Sequence, residues 1–482
     1  MSEIRTRFAP SPTGFMHIGN LRTALYTYLI SKSKALGGNG KFILRIEDTD
    51  RGRYVEGATE KIYSALTDVG LLWDEGPDVG GPYGPYIQSE RMGMYMDYAK
   101  KLVELGAAYY CFCEKTEEEE AEAGTGYKKY DGRCSRLPKE TVEKYLAEGK
   151  PFVIRQKMPK DGGATSFHDE IFGDVSVPND ELEDQILIKS DGMPTYNFAN
   201  VIDDHTMNVT HVVRGIEYLS STPKYNLLYK AFGWDCPVYI HVSPVMRDAQ
   251  HKLSKRHGDP TFEDLINMGY LKKAVLNYVA LLGWSPGGDR EIYSLDELKE
   301  VFSISGISKS PAIFDIQKLS WLNGEYIKAM TPEEFLSEAK PYIDKVTGGK
   351  LDAAKIAPLL QTRIQTFCEI EEMIDFLKEL PEFSNELYFN KKMKTDAESS
   401  LPILEKLLPL LENCDFTHDA LQELQTNFAA ENELKNGKVM FPLRIAISGK
   451  QMTPGGSTEI AEILGKDETI RRLKISIENL KK

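Results

Sequence analysis

Apolar positions near the start of the chain fall first in a short, partly alternating run and then at helical spacing. Arg5-Thr-Arg-Phe-Ala9 reads as a strand, and Pro10, Pro12 and Gly14 after it cannot continue a ladder, so a turn follows. Leu21, Leu25, Tyr28 and Leu29 recur on one face of a helix that Asn20 can cap. Gly37, Gly38 and Gly40 mark the next turn, and Lys41-Phe-Ile-Leu-Arg-Ile46 reads as a buried strand. Strand, helix and strand in that order predict the opening of a parallel sheet whose site lies at the strand ends.

Residues 86 to about 190 interrupt this pattern, with a helical stretch from Arg91 to Leu105, a charged run from Glu117 to Glu120 and a loop-rich stretch from Gly124 to Gly132. They predict an α+β insert. The sheet is expected to resume at Asp184-Gln-Ile-Leu-Ile-Lys189, before the Asp191-Gly192 turn, and Val238-Tyr-Ile-His-Val242 is a further strand. From about 260 to 325 the pattern is helical with Gly and Pro breaks, and Leu271, Val275, Tyr278 and Leu282 share a face. Thr331-Pro-Glu-Glu334 is a capping box with proline at the first helical position. Beyond it, Leu404, Leu407, Leu408 and Leu411 form one apolar stripe and Leu473, Ile477 and Leu480 another, which are core by default. The fold class is therefore α/β: a parallel-sheet domain with an α+β insert, followed by an all-helical C-terminal region.

Composition changes this picture little. At roughly 150 residues per domain, the 482 residues suggest about three domains. Apolar residues make up 41% and charged residues 27%, as in ordinary globular proteins. No apolar run reaches about 18 residues and the N-terminus has no apolar signal core, so neither a membrane partner nor secretion is expected. Six cysteines are too few for a disulfide scaffold and point to a reducing, cytoplasmic setting. The formal charge of −14 argues at first against a nucleic-acid partner, but such binding needs only local basic surface. Lys252 to Arg256 is one candidate patch. Arg471-Arg-Leu-Lys474 and Lys481-Lys482 are others, and a plain solvated face explains those two equally well.

Candidate chemistry begins at the first turn. The helix that Asn20 can cap points free N–H groups and the positive end of its dipole at the loop, which attracts phosphate. His17 can donate to the same anion, and Gly19, lacking a Cβ, lets a flat base approach the backbone. Alone, a surface histidine in a turn would explain these residues. The full string Ala9-Pro-Ser-Pro-Thr-Gly followed by His17-Ile-Gly-Asn20 resembles the His-Ile-Gly-His motif of class I aminoacyl-tRNA synthetases, in its glutamyl and glutaminyl version, with Asn20 in place of the last His. Glu47-Asp-Thr-Asp-Arg51 follows the second strand. Asp48 and Asp50 read as caps, whereas Glu47 stands at the sheet edge, where a carboxylate can hold an amino group. The string Arg45-Ile-Glu-Asp-Thr-Asp-Arg51 is similar to one in the same enzymes, which implies that Glu47 contacts the amino acid. A lysine pair is usually a solvated loop, but Lys252-Leu-Ser-Lys-Arg256 resembles the Lys-Met-Ser-Lys-Ser loop, with Leu253 for Met and Arg256 for the last Ser. Attack at an α-phosphate builds negative charge that fixed cations stabilise most in the transition state. The resemblance gives Lys255 that role, with Lys252 assisting and His17 opposite.

The resemblance implies that ATP is held by Pro10, Thr13, Gly14, His17, Gly19, Asn20, Glu217, Leu253, Ser254 and Lys255, with Mg²⁺. It implies an amino-acid pocket of Arg7, Ser11, Glu47, Tyr196, Asn200 and Arg214, with Ser11 at the α-carboxylate or amino end. Arg214, after the short apolar strand of Thr210-His-Val-Val-Arg-Gly-Ile-Glu217, is either a surface ion pair or a carboxylate clamp. A buried carboxylate is costly unless charge-paired, and a guanidinium fork pairs it with two hydrogen bonds. Arg7 and Arg214 can supply that fork for glutamate, and the glutaminyl enzymes lack the Arg matching Arg214.

Cys111-Phe-Cys113 and Tyr130-Asp-Gly-Arg-Cys134 place three thiols and a phenol within the insert. Zinc favours four ligands. Some zinc-bearing relatives have a His where this chain has Arg136, which cannot ligate; a resemblance to a related synthetase-like group makes Tyr130, four residues before Cys134, a candidate fourth ligand to Zn²⁺. A small cluster of reduced cysteines is the alternative.

Taken over the whole chain, the resemblance implies a Rossmann-like catalytic domain at 1–85 and 191–250 and an acceptor-binding insert at 86–190. A stem-contact helical module with the lysine loop would cover 251–328, and a helical anticodon-binding region of bacterial glutamyl type 329–482. The expected activity joins L-glutamate to the 3′ end of tRNA(Glu) through glutamyl-adenylate. tRNA(Gln) is a second acceptor if the enzyme is non-discriminating, and a monomer is expected. Two rivals are a truncated type that glutamylates a modified tRNA base, which lacks an anticodon region, and a synthetase-derived binding protein that has lost its chemistry.

Overall fold

The computed structural model describes residues 3–49, 52, 55–113, 130–254 and 257–482. They divide into two compact units, Met1–Leu265 with Val275–Asp315, and Ile266–Ala274 with Ile316–Lys482. Among the described residues no helix is long and apolar enough to cross a membrane.

The first unit is built on a six-stranded sheet. Strand β1 (Arg5–Phe8) pairs in parallel with β2 (Lys41–Leu44), and helix α1 (Ile18–Lys32) connects them. The insert contributes helix α2 (Met92–Glu104) and strands β3 (Ala108–Cys111), β4 (Val153–Gln156), β5 (Ala164–Asp169), β6 (Gly173–Pro178) and β7 (Ile186–Ile188). Helix α3 (Tyr196–Thr206), β8 (His211–Gly215), helix α4 (Thr222–Phe232) and β9 (Val238–Val242) follow. The sheet order is β2-β1-β8-β9-β5-β6, parallel throughout except for the antiparallel edge hairpin β5–β6.

Two features differ from the sequence reading. Asp184 to Lys189 does not resume the main sheet: β7 pairs antiparallel with β4 in a separate sheet of order β3-β4-β7. That small sheet shares a core with α2 and α3 through Tyr95, Leu102, Ile154, Leu187 and Phe198, so its apolar run is satisfied there. The main sheet is extended instead by β5–β6, which lies within 86–190. Along β5 only Phe167 and Asp169 point inward. An edge hairpin wetted on one face carries no apolar run to betray it.

Helix α1 is more deeply buried than its predicted stripe implies. Leu21, Leu25, Tyr28 and Leu29 are in the core, but so are Ile18, Ala24, Tyr26 and Ile30. One side packs on β1, β2 and β8. The other is anchored by polar groups, with Tyr26 Oη donating to the carbonyl of Leu282 at 2.9 Å and Ser33 Oγ to that of Phe302 at 2.7 Å.

In the second unit the predicted capping box is formed. Thr331 Oγ1 accepts from the Glu334 amide at 3.2 Å and the Glu334 carboxylate accepts from the Thr331 amide at 3.0 Å, opening a helix at Pro332–Thr347. The two leucine-rich stripes lie on helices Ala397–Glu412 and Lys466–Leu480, which pack together in one core with Leu404, Leu407, Leu411, Leu473 and Ile477 buried.

Candidate functional site

The carboxyl ends of the parallel strands open into a cleft of about 860 Å³. The loop after β1 and the residues after β2 are tied together there, because Arg45 N donates to Phe8 O at 3.0 Å and Glu47 N to Pro10 O at 3.0 Å. Helix α1 starts at the cleft floor. His17, not Asn20, is its N-cap, with no side-chain cap bond, and Asn20 lies inside the first turn. The sequence favoured Asn20 because its amide is a good cap, but the chain turns helical three residues earlier, and Gly19 and Asn20, in the first turn, line the cleft. A Cβ on Gly19 would meet nothing within 4 Å, so its face is open space.

One wall is a fully buried charge network. Asp204 Oδ1 accepts from Arg7 Nε at 2.9 Å and from Arg45 Nη1 at 2.8 Å, while Arg45 Nη2 donates to Glu47 Oε1 at 2.9 Å. Behind them Asp203 takes Arg91 Nε at 2.7 Å and the Tyr95 hydroxyl at 2.8 Å. Burial alone would raise the Asp204 and Glu47 carboxyls. At Asp204 the two guanidinium groups outweigh it and hold the carboxyl below its usual range. At Glu47 burial wins over Arg45, and its carboxyl sits above that range. A substrate ammonium beside Glu47 would therefore be well placed to favour the ionised form.

Arg214, on β8, is held differently. Its Nε donates to His241 Nε2 at 3.0 Å and its Nη2 to Thr222 Oγ1 at 2.8 Å, both neutral acceptors, and its guanidinium lies 4.7 Å from the centre of the Tyr225 ring. No carboxylate among the described residues pairs with it. Its charge faces the cleft with no counter-ion in contact.

The opposite rim is a short β-bridged loop. Met246 pairs with Lys252, Leu253 N donates to Val245 O at 3.1 Å, and Ser254 N to Asp259 Oδ2 at 2.7 Å. Arg247 grips the same Asp259 at 2.8 Å, so the loop stem is fixed on both sides. Lys255 and Arg256 lie outside the described residues, as do Asp50, Arg51 and the Glu117–Glu120 run.

The cleft lining brings together Arg7, Pro10, Ser11, Thr13, His17, Gly19, Asn20, Glu47, Tyr196, Arg214, Glu217, Lys252, Leu253 and Ser254. It does not include Gly14 or Asn200. Gly14 adopts φ +127° and serves the turn itself. The Asn200 side chain is buried and donates to Tyr196 O at 2.8 Å within α3. Arg22, Thr49, Gln88 and Lys189 also line the cleft, and sequence reasoning missed them. Thr49 and Gln88 are coupled by a 2.8 Å hydrogen bond across 39 positions, a pairing no local pattern announces.

The insert gathers Cys111, Cys113 and Cys134, whose Sγ atoms all lie within 4.8 Å of one another. Tyr130 Oη is 3.3 Å from Cys111 Sγ and 3.5 Å from Cys113 Sγ. Burial pushes the Cys113 thiol up, but hydrogen bonds from Tyr130 and Arg133 outweigh it and hold the group below its usual range. Tetrahedral zinc at about 2.3 Å from each sulfur needs sulfur atoms close to 4 Å apart, so the donor set fits.

Residues 3–321 match the family of tRNA synthetases class I (E and Q), catalytic domain, and residues 334–477 match the anticodon binding domain. A glutamate–tRNA ligase from Clostridium botulinum strain Hall is 57% identical over 485 residues, covering 100% of this chain and 99% of the relative. One from Clostridium novyi is 58% identical, covering 99% and 98%. A crystal structure of a glutamate tRNA ligase from Elizabethkingia meningosepticum in complex with its amino acid superposes with a TM-score of 0.89 at 38% identity, covering 99% of this chain and 100% of that one. With these matches spanning its whole length, the chain belongs to the glutamate–tRNA ligases, class I aminoacyl-tRNA synthetases of the E and Q group.

Proposed function

We propose that this chain activates L-glutamate with ATP and transfers it to tRNA at the cleft between α1 and the Lys252 loop. The glutamate α-carboxylate oxygen attacks the α-phosphorus and pyrophosphate leaves. A hydroxyl of the terminal tRNA ribose then attacks the carbonyl carbon and AMP leaves. Neither step calls for a side-chain nucleophile, so catalysis is positioning plus electrostatics. ATP lies along Pro10, Thr13, His17, Gly19, Asn20, Glu217, Leu253 and Ser254, with Gly14 shaping the turn. His17, Lys252 and Lys255 stabilise the charge that grows on the phosphates, and Mg²⁺ arrives on the triphosphate. Glu47 and Ser11 hold the ammonium and α-carboxylate, Tyr196 shapes the pocket with Asn200 donating to its carbonyl, and Arg7 with Arg214 takes the side-chain carboxylate.

The observation that carries this reading is Arg214: a buried guanidinium with no carboxylate partner among the described residues, in the cleft that also receives a helix N-terminus. Arg7 is already balanced by Asp204, so Arg214 supplies the free charge. Arg214→Ala should cost about 3 kcal/mol of glutamate recognition, read as a raised glutamate KM in tRNA charging. An unchanged KM would remove the reason for preferring glutamate. Lys252→Ala should instead slow adenylate formation with little change in glutamate affinity, read by pyrophosphate exchange.

The insert at 86–190 is proposed to grip the acceptor end, with Zn²⁺ held by Cys111, Cys113, Cys134 and Tyr130 to stiffen it. Residues 251–328 would contact the stem and 329–482 the anticodon. A base-glutamylating truncated enzyme lacks an anticodon region, which the match at 334–477 supplies. The reading extends to a cytoplasmic monomer using tRNA(Glu). Charging of both purified tRNA types tests whether tRNA(Gln) is also an acceptor.

A further inference from the structure

The edge hairpin β5–β6 brings one carboxylate beneath the amino-acid pocket. Asp169, the last residue of β5, and His241, on β9, are both fully buried. Asp169 Oδ2 lies 2.6 Å from His241 Nδ1 and accepts the His241 amide at 3.0 Å, while Oδ1 accepts the amides of Ile171 and Phe172 at 3.0 and 2.9 Å. A carboxylate with this many donors is ionised. Burial pushes its carboxyl up, but His241 and the backbone amides hold it below the usual range. The Nδ1 atom of His241 must then carry the proton, which leaves Nε2 as an acceptor. That atom faces Arg214 Nε at 3.0 Å, where a second N–H would clash with a donor.

We infer that His241, fixed by Asp169, is the positioning residue that aims Arg214 at the side-chain carboxylate of the amino acid, an inference that rests on the pocket assignment above. A carboxylate in place of His241 would aim the guanidinium equally well but would pair with its charge, as Asp204 does with Arg7. A neutral imidazole fixes direction and leaves the charge available, with the compensating Asp169 held one ring further away. Thr222 Oγ1 completes the clamp, accepting from Arg214 and donating to Tyr218 O at 2.9 Å. The Tyr225, Tyr218 and Tyr239 rings, at 4.7, 5.5 and 5.5 Å, confine the guanidinium plane. Glutamate is thereby preferred over glutamine through a residue that touches neither.

The test exploits two amides that each imitate one ring nitrogen. His241→Asn keeps a donor near the Nδ1 position for Asp169 and removes the acceptor for Arg214, whereas His241→Gln carries an amide oxygen near the Nε2 position. In charging assays with saturating tRNA, His241→Asn should raise the glutamate KM by roughly ten-fold and leave the ATP KM within about two-fold, and His241→Gln should recover most of the glutamate KM. A folded His241→Asn variant with unchanged glutamate KM overturns the inference. So does an equal rise of both KM values in both variants, which marks a merely structural histidine. Arg214→Ala separates the two levels: if it leaves glutamate KM unchanged the pocket assignment fails, and if it raises KM while His241→Asn does not, only the positioning role fails. A measurement on the unaltered enzyme does not depend on either variant folding. Ring ¹⁵N spectra of histidine-labelled protein should contain a buried, neutral Nδ1–H imidazole that persists when the solvent is acidified toward pH 6. Spectra in which every ring titrates as an exposed histidine, or in which the buried ring is the Nε2–H tautomer, overturn it.

Discussion

Arg7, Arg45 and Arg214 are all buried, yet their neighbours give them different work. Arg7 and Arg45 share Asp204 and are structural, because removing either takes away one of the two guanidinium partners of a buried carboxylate. The cysteine cluster shows the same dependence on company. Arg133, 3.0 Å from Cys113, favours the thiolate there, which is the form zinc requires, whereas burial pushes the Cys134 thiol up to about 11. The purified protein is expected to carry about one zinc per chain by elemental analysis, and Cys134→Ser to lose it. A metal-free native protein with reactive thiols would establish the reduced-cysteine alternative. Cys111-Phe-Cys113 and Cys134 were legible as a candidate set from their spacing. That Arg155 covers the Tyr130 ring at 4.0 Å, orienting its phenol toward the sulfurs, was not, because the two lie 25 positions apart on unrelated elements.

At the level of elements, polar groups at helix ends decide as much as apolar stripes. Arg472 sits inside the core of the second unit, donating to the carbonyls of Phe376 at 2.7 Å and Ile447 at 2.9 Å and to Glu468 at 2.6 Å. It closes the carboxyl end of helix Asn436–Ser448 and the short turn at Asp375–Leu377 at once. Arg472→Leu keeps the bulk but orphans those carbonyls, and should destabilise the protein by about 3 kcal/mol. A shift under about 0.5 kcal/mol in urea unfolding would mean that water replaces the guanidinium. The sequence marked Leu473, Ile477 and Leu480 as an apolar stripe and read Arg471 to Lys474 as a basic patch or a plain solvated face. Arg471 does pair outward with Glu468, but neighbouring Arg472 turns inward, since consecutive helical residues point about 100° apart.

For the whole molecule, pH reports on burial. Burial lowers His205, His211 and His241 below the ordinary histidine range. Just below about pH 6.5 the unfolded chain binds protons that these folded sites refuse, so their contribution to stability is complete above that value and is lost as pH falls toward the folded pKa values. Glu47, raised by burial, acts in the opposite direction, since its folded state takes up a proton first. His168 does so too through Asp174, but on an exposed surface where the effect is small. Three lowered histidines outweigh these, and the urea midpoint should be lower at pH 5.5 than at pH 7.5. An equal or higher midpoint at pH 5.5 would contradict the burial pattern.

What the sequence determined by itself is local: the first strand and helix, the capping box at Thr331, the paired helical stripes, and the strings around His17, Glu47 and Lys252 that resemble a known family. These features follow from neighbouring residues, where propensity and spacing act. Tertiary structure alone decided that His17 caps α1, that β7 leaves the main sheet, and that β5 enters it. It also set Asp169 against His241 across 72 positions. The physical reason is that a strand's edge partner is chosen by backbone pairing and burial over the whole domain, and no window of sequence contains both sides of that choice.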